Sequence, residues 1–325
     1  MSPPTDAAPL GPSVERGKIY RDVYAKRQDD EVVVEAAALE RAWTEDGELR
    51  FADAAARARA FADGVFALRR PASLRVAAGD QFAEQFFRGP GAEPYGRFRD
   101  LRTEAFGDPL LGFHQRINQI EQFLLERRFW RSHYPPEIAH LGEQLTELSQ
   151  QILRAVLSHL QVPPAQWSLA TGGCSERAGS YHLTFNHYRP SAPGCGLASH
   201  KDDGFLTILR TTTPGLEVNR RDRWERVPID PDYFIVNFGL SMELLTSASP
   251  TPIAAIMHRV AHQVADRTSF GHFTSSCCLP GADGGIYRFT PEDGLTRICS
   301  SRELIDNNDH EIYQGTDRPE EEDPR

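Results

Sequence analysis

The stretch "ASHKDDGFLTIL", residues 198–209, joins a strand-like run of apolar and β-branched residues to a histidine and an aspartate two positions apart. Successive side chains of a β-strand point to opposite faces, so His200 and Asp202 project from the same face. Charged groups are costly to bury in a strand unless something compensates them. The pair therefore belongs to a surface strand, a catalytic dyad or a metal site, and the surrounding sequence has to distinguish these.

The sequence changes character at Pro163–Pro164. Downstream of it, turn-rich segments such as "RPSAPG" and "SASPTP" separate short runs of β-branched and aromatic residues: "SYHLTFNHY", "GFLTILRTT", "WERVPI", "YFIVNFG" and "HRVAHQV". Many short strands in succession are typical of a β-sandwich or a jelly roll. Upstream, apolar residues recur every three or four positions from Ile138 to Leu160, which predicts a long helix after Pro135–Pro136. We therefore predict a mixed α/β (α+β) protein.

The predicted organisation has four parts. Residues 1–17 are rich in Pro, Ala and Ser and are expected to be disordered. Residues 18–165 form a mainly helical region, in which Gly64 ends one helix and "VFALRRP" follows as a short strand. Residues 166–300 form the jelly-roll core. Residues 301–325 are a C-terminal segment whose last residues, "RPEEEDPR", form a solvated acidic tail.

Composition limits the classes of function. The 325 residues are 40% hydrophobic and 25% charged, with a net charge of −10 and a pI of about 5.6. Such a balance disfavours binding to nucleic acid or to an anionic membrane surface. The N-terminus lacks the features of a signal peptide, no apolar run reaches membrane-spanning length, and the five cysteines show no paired CxxC spacing. We expect a cytoplasmic protein with reduced thiols and a small-molecule partner.

A second motif follows downstream in "IMHRVAHQVADRTSFGHF", residues 256–273. It supplies His258, and then Arg267 and Ser269 on one face of a strand. Two histidines and one carboxylate form the facial triad of non-haem Fe(II) oxygenases, which leaves coordination positions open. A bidentate oxo-acid can fill two of them, and an arginine fork can hold its distal carboxylate.

In the order and spacing of these motifs the sequence resembles the Fe(II)/2-oxoglutarate-dependent dioxygenases of the isopenicillin N synthase-like group. The family's HxD motif matches His200–Lys201–Asp202, and its distal histidine, in an "HRV" context, matches His258. Its RxS motif matches Arg267–Thr268–Ser269, nine residues past the distal histidine. The resemblance implies that His200, Asp202 and His258 bind the metal.

The same resemblance extends upstream to "FNHYRP", which looks like the family's strand with an NxY motif. It implies that Tyr188 and Asn186, together with Arg267 and Ser269, bind 2-oxoglutarate. It also implies a double-stranded β-helix core with N-terminal helices outside, and the use of Fe(II), 2-oxoglutarate and O2. The implied reaction releases succinate and CO2 and hydroxylates, or else desaturates or cyclises, a small molecule, with bacterial specialised metabolism as the expected setting.

Other polar residues near the motifs have ordinary explanations. His262 lies four residues after His258, but the HRV context and the spacing to Arg267 favour His258 as the ligand. Lys201 is expected to point away from the metal into solvent, and Asp203 to lie in a turn. The remaining residues expected to be structural are His182, His187, His272 and Glu243.

Three other functions share parts of this pattern. An oxidase of the same fold could use iron without 2-oxoglutarate, although Arg267 and Ser269 count against it. A zinc-dependent hydrolase could use the same three ligands but has no use for the RxS pair. A non-catalytic metal-binding sensor could retain the site without turnover.

Overall fold

The structure is a computed structural model that describes residues 33, 35–116 and 118–312, apart from the side chains of residues 309–311. The predicted disordered tail and the predicted acidic tail lie outside the described residues. Within them the strands are β1 (Glu35–Ala36), β2 (Arg41–Glu45), β3 (Glu48–Phe51), β4 (Val65–Arg69), β5 (Gly112–Gln115), β6 (Ile120–Glu126), β7 (Ser180–Tyr188), β8 (Leu197–His200), β9 (Leu206–Thr211), β10 (Leu216–Arg220), β11 (Arg223–Arg226), β12 (Tyr233–Phe238), β13 (Met257–Val260), β14 (Arg267–Ser275), β15 (Ile286–Thr290) and β16 (Gly294–Cys299).

Two of the sheets build the jelly roll. The major sheet has nine strands in the order β3-β2-β4-β12-β9-β14-β7-β6-β5, and the minor sheet has five in the order β1-β11-β10-β13-β8. Strands β15 and β16 pair separately as a hairpin. Because interior side chains of both main sheets line one cavity, the site is built between them. The predicted jelly-roll core is therefore confirmed.

The α-helices of the described residues lie mainly outside this core. They are α1 (Ala54–Asp63), α2 (Ala77–Ala83), α3 (Trp130–His133), α4 (Pro136–His159), α5 (Trp167–Ala170), α6 (Leu240–Thr246) and α7 (Ser301–Ile312). Helix α1 ends at Gly64, whose φ of 75° is left-handed, as the sequence predicted. Among the described residues, no helix combines the length and the apolar character that crossing a membrane requires.

Helix α4 follows the prediction closely, because Pro136 occupies its first turn and its apolar stripe faces the major sheet. The stripe residues Ile138, Leu145 and Ile152 are fully buried in the main hydrophobic cluster. Helix α2 covers another part of the same sheet, where the ring centroid of Phe82 lies 4.3 Å from that of Phe185 on β7. The helices thus cover the outer face of the major sheet, and its inner face lines the cavity.

The prediction of a mainly helical region at residues 18–165 needs correction. Strands β1–β6 all lie in it, and five of them extend the major sheet on both sides. The run "IEQFLLE" forms β6 and is buried almost throughout, so it shows no alternation that would mark it as a strand. The domain boundaries stay a prediction.

Candidate metal centre

Three of the predicted residues meet at the edge of the minor sheet. His258 on β13 pairs directly with His200, the last residue of β8, and their ring centroids lie 4.2 Å apart. Oδ1 of Asp202 lies 3.8 Å from Nε2 of His200 and 3.7 Å from Nε2 of His258. All three residues are buried, and one ligand atom from each lies within 4.8 Å of the others. The donor set fits a divalent transition metal such as Fe(II).

The backbone fixes the orientation of both imidazoles. Nδ1 of His200 lies 2.8 Å from the carbonyl oxygen of Ala198, and Nδ1 of His258 lies 3.2 Å from that of Ile256. Since a carbonyl oxygen only accepts, each Nδ1 carries the proton and donates it. This tautomer leaves the Nε2 lone pair of each ring directed at the shared position, as a metal ligand requires.

Asp202 is held from two sides. The Thr207 hydroxyl donates a hydrogen bond of 2.6 Å to Oδ2, which leaves Oδ1 facing the two imidazoles. The backbone N–H of Leu240 donates 2.8 Å to the Asp202 carbonyl oxygen. A Cβ at Gly239 would lie 2.7 Å from that oxygen and 2.4 Å from the carbonyl oxygen of Gly204, so only glycine permits this approach.

Arg267 lies across the cavity on β14 and is 2% exposed. Its Nε donates to the carbonyl oxygen of Pro214 and its Nη2 to the Thr211 hydroxyl, both at 3.0 Å. Its Nη1 is buried and has no hydrogen-bond partner among the described residues. The guanidinium also stacks 4.6 Å from the ring centre of Tyr188. Burial lowers the pKa of Arg267, which Tyr188 opposes, but an arginine side chain keeps its charge.

Two of the remaining predicted co-substrate residues, Asn186 and Ser269, belong to a polar row that crosses the major sheet. Gln122, Asn186, Ser269 and Thr211 stand opposite one another in register on four neighbouring strands, and we call them the anchor row. Gln122 Nε2 donates 3.0 Å to Asn186 Oδ1, and Asn186 Nδ2 donates 3.4 Å to the Ser269 oxygen. A hydroxyl that accepts in this way can still donate its own proton into the cavity.

All seven predicted residues line a single cavity of about 150 Å³ between the two sheets. Away from Arg267, the lining residues include Leu110, Leu124, His182, Phe273, Ile305 and Asn308. Polar Asp203 and Ser275 also line this part, and apolar Leu197 and Val260 line the cavity near Tyr188. The three candidate metal ligands line the same cavity.

Among the neighbours of the motif residues, Lys201 differs from its predicted role. Lys201 is not free in solvent but donates 2.9 Å to Glu243, which in turn accepts from the backbone N–H of Ala255. Glu243 therefore ties α6 to the metal strand and is more than a packing residue. Asp203 lines the cavity, and the Ser275 hydroxyl donates 3.2 Å to it. His262 lies apart from the metal ligands and donates 2.7 Å to the carbonyl oxygen of Gly194.

Of the three histidines expected to be structural, two have buried partners. His187 lies 2.7 Å from Glu121 and 2.9 Å from Asp266, and Nε2 of His272 lies 2.9 Å from the Thr146 hydroxyl. His182 differs, because it is half-buried and lines the cavity. The expectation of a structural role for His182 is therefore replaced by a position in the cavity wall.

Four residues of this site were not predicted from the sequence: Gln122, Thr207, Thr211 and Asn237. Thr207 and Thr211 lie on β9, and Asn237 lies on the neighbouring strand β12. The alternation of β9 downstream of the HxD motif could have placed both threonines on the inner face, since they lie four positions apart. Nothing in the sequence of β12 marks Asn237 as a cavity residue rather than a turn-former.

Fold and site together define a class: a double-stranded β-helix with two histidines, one carboxylate and a buried arginine in one cavity. The family model described as the 2OG-Fe(II) oxygenase superfamily matches residues 180–276, which contain every predicted site residue. This segment is similar to that superfamily, and the match is consistent with its isopenicillin N synthase-like group.

Curated relatives match part of the chain. It is 32% identical over 141 residues to 2-oxoglutarate-dependent dioxygenase 21, chloroplastic, of Oryza sativa subsp. japonica, covering 41% of this chain and 40% of the relative. It is 32% identical over 154 residues to jasmonate-induced oxygenase 2 of Arabidopsis thaliana, covering 44% and 39%. The chain thus matches about 40% of the length of these relatives.

Solved structures share the fold over most of the chain. JOX2 in complex with 2OG, Fe and JA superposes with a TM-score of 0.59 at 20% identity, covering 85% of this chain and 92% of that one. A putative 2OG-Fe(II) oxygenase family protein from Caulobacter crescentus gives a TM-score of 0.61 at 18% identity, covering 85% and 100%.

Proposed function

We propose that the protein is an Fe(II)/2-oxoglutarate-dependent dioxygenase that oxidises a small molecule, by default through hydroxylation. One observation carries this proposal. The triad of His200, Asp202 and His258 shares its cavity with a buried arginine whose Nη1 has no partner among the described residues. Since a buried cation with an unsatisfied donor and no ion pair among the described residues is costly, a ligand carboxylate at Arg267 explains its position.

The residues present fit the implied groups. His200, Asp202 and His258 would hold Fe(II), with Thr207 and two backbone carbonyls fixing their orientation. Arg267 would receive the distal carboxylate of 2-oxoglutarate. Ser269 and Tyr188 would help to bind it, and Asn186 would orient Ser269.

The protein's contribution to catalysis is binding, orientation and exclusion of water. When bound, Fe(II) with 2-oxoglutarate supplies the activation of O2, with formation of succinate and CO2 and transfer of one oxygen atom to the substrate. Arg267 and the anchor row would hold the co-substrate. The apolar side chains Leu110, Leu124 and Phe273 line the same cavity, where they would contact the substrate and exclude water.

The relatives support a small-molecule substrate. The JOX2 structure is described as a complex with 2OG, Fe and JA, and a Neurospora crassa structure as a complex with alpha-KG and 5-formyluracil. These are compounds small enough for a buried cavity, and the net charge of −10 disfavours a nucleic-acid substrate. A specialised-metabolic setting stays a prediction from the sequence.

The direct test is anaerobic reconstitution with Fe(II), followed by addition of 2-oxoglutarate. We expect the weak visible charge-transfer band of the chelate in the wild-type protein. Absence of the band, with Fe(II) shown to be bound, would remove the co-substrate from the proposal and favour an oxidase that works without it.

Two further measurements separate the other candidate functions. Product formation that depends on O2 and yields succinate is expected here, whereas a zinc-dependent hydrolase would work without O2. A metal-binding sensor would bind Fe(II) and 2-oxoglutarate but release no succinate, not even through the slow turnover of 2-oxoglutarate in the absence of substrate.

A further inference from the structure

A second row of interior side chains crosses the major sheet beside the candidate metal ligands. Asn237 on β12 stands opposite Thr207 on β9, Thr207 opposite Phe273 on β14, and Phe273 opposite His182 on β7. We call these four the substrate row, and all of them line the cavity. Adjacent strands lie about 4.8 Å apart, so the row spans roughly 14 Å between its outer Cα atoms. Thr207 is the row's contact with Asp202.

Asn237 is the least expected member of this row. It is 1% exposed, and neither its Nδ2 nor its Oδ1 has a hydrogen-bond partner among the described residues. Its strand neighbours Ile235 and Val65 belong to an apolar cluster, so a hydrophobic side chain would suit the position. Buried polar atoms without partners are rare and costly in folded proteins. The amide is therefore explained by a ligand in the cavity.

His182 provides a second polar point at the other end of the row. Burial lowers its pKa to about 4, while Asp108 opposes this effect and Arg128 and Arg302 reinforce it. The imidazole is therefore neutral near pH 7 and offers one donor and one acceptor. Phe273, half-buried, separates it from Thr207 and presents an aromatic ring to the cavity.

We propose that the substrate row binds the substrate, and that this substrate is a largely apolar small molecule with uncharged hydrogen-bonding groups, such as hydroxyl, carbonyl or amide, facing Asn237 and His182. This inference rests on the proposed function, because it assigns the anchor row to 2-oxoglutarate. None of the four residues in the substrate row is ionised, so the row itself offers hydrogen bonds but no counter-charge to a substrate group.

Stability of the ligand-free protein gives the first test, since it needs no known substrate. Asn237→Leu and Asn237→Val each replace two unpartnered polar atoms with apolar ones. We expect at least one of them to raise the melting temperature, by about 2 °C or more. If both variants lower it, Asn237 has a structural role and the inference fails.

The second test uses probes of defined chemistry. Matched fragments that share one carbon frame and carry a primary amide, a carboxylate or an ammonium group are added to the anaerobic complex with Fe(II) and 2-oxoglutarate, and melting temperatures are measured. Amides should stabilise the wild type and the control His262→Leu, but not His182→Leu or Asn237→Leu. His182→Asn, which keeps a neutral donor and acceptor, should restore part of the effect.

The remaining outcomes contradict the inference. Stronger stabilisation by carboxylates would instead indicate Arg116, which lines the cavity beside Ile120, the strand neighbour of Tyr188. The inference would also be rejected if amide fragments stabilised the substrate-row variants as much as the wild type. The same holds if no fragment stabilised the wild type. Failure of the proposed function looks different, because the charge-transfer band would then be missing before any fragment is added.

Discussion

The anchor row and the substrate row lie on the same face of the same sheet but differ in how their polar atoms are hydrogen-bonded. In the anchor row, Gln122 donates to Asn186 and Asn186 to Ser269, while Arg267 donates to Thr211. In the substrate row, both amide atoms of Asn237 lack a partner among the described residues. The polar groups of the anchor row are held by protein contacts before any ligand binds, whereas the amide of Asn237 in the substrate row is not.

This difference matches what each row would have to do. A co-substrate that never changes is bound best by donors held in place in advance, because little entropy is then lost on binding. The substrate row relies on shape and on a few uncharged groups, so single substitutions there can alter the preferred substrate without affecting the anchor row. The metal ligands lie between the rows and serve both.

The largest effect is expected at the metal ligands themselves. His200→Ala or His258→Ala removes one of three protein donors, so Fe(II) affinity should fall by more than the 10- to 100-fold that is typical for losing a residue that only supports a ligand. Anaerobic titration with Fe(II) measures it. His262→Ala is the matched control, because its imidazole contacts only the Gly194 region and should leave Fe(II) binding unchanged.

Arg267→Ala should separate the anchor row from the metal. Fe(II) binding should persist, whereas 2-oxoglutarate should bind roughly 100-fold more weakly or worse, since breaking a buried charge pair costs about 3–5 kcal/mol. The intensity of the charge-transfer band against 2-oxoglutarate concentration gives the affinity. Arg226→Ala, on the exposed side of β11, should behave as wild type. Normal co-substrate affinity in Arg267→Ala would show that another residue binds the carboxylate.

How much of this site could be predicted depended on the spacing between residues along the chain. Arg267 and Ser269 lie two positions apart on β14, so the pleat placed this pair on one face. His200 and Asp202 were predicted to share a strand, but β8 ends at His200 and Asp202 lies in the segment before β9, so spacing identified this pair while the pleat does not position it. Helix α4 was equally predictable, because its apolar period of 3.6 residues continues for its full length. In such cases the spacing along the sequence is enough to predict which residues share a face of a strand or helix.

What escaped prediction came from pairing between distant strands. His182 and Asn237 enter the cavity through the register of β7 with β14 and of β12 with β9, which no local pattern encodes. Strand β6 escaped because it is covered on both faces, so it lacks the alternation of a half-exposed strand. In both cases the outcome depends on tertiary contacts and not on the residues nearby in the sequence.

Thr207→Val tests whether the substrate row also supports the metal. The loss of the 2.6 Å hydrogen bond to Asp202 Oδ2 should weaken Fe(II) binding by about 10- to 100-fold, less than the loss of a ligand. Thr268→Val is the control, because Thr268 lies next to Ser269 on β14 and points to the other face of the sheet. Equal Fe(II) affinities for the two variants would mean that Asp202 is oriented by its backbone contacts alone.

The smallest effect is expected within the anchor row, where Ser269→Ala removes a single neutral hydroxyl. A hydrogen bond of that kind contributes about 0.5–1.5 kcal/mol net, so 2-oxoglutarate affinity should fall roughly 2- to 10-fold with Fe(II) affinity unchanged. Asn186→Ala should produce a similar or smaller loss, because it acts only by orienting Ser269. In the double variant the losses should be less than additive, since both changes remove the same contact. Fully additive losses would mean that Asn186 touches the co-substrate directly, and the anchor row would then present two independent donors.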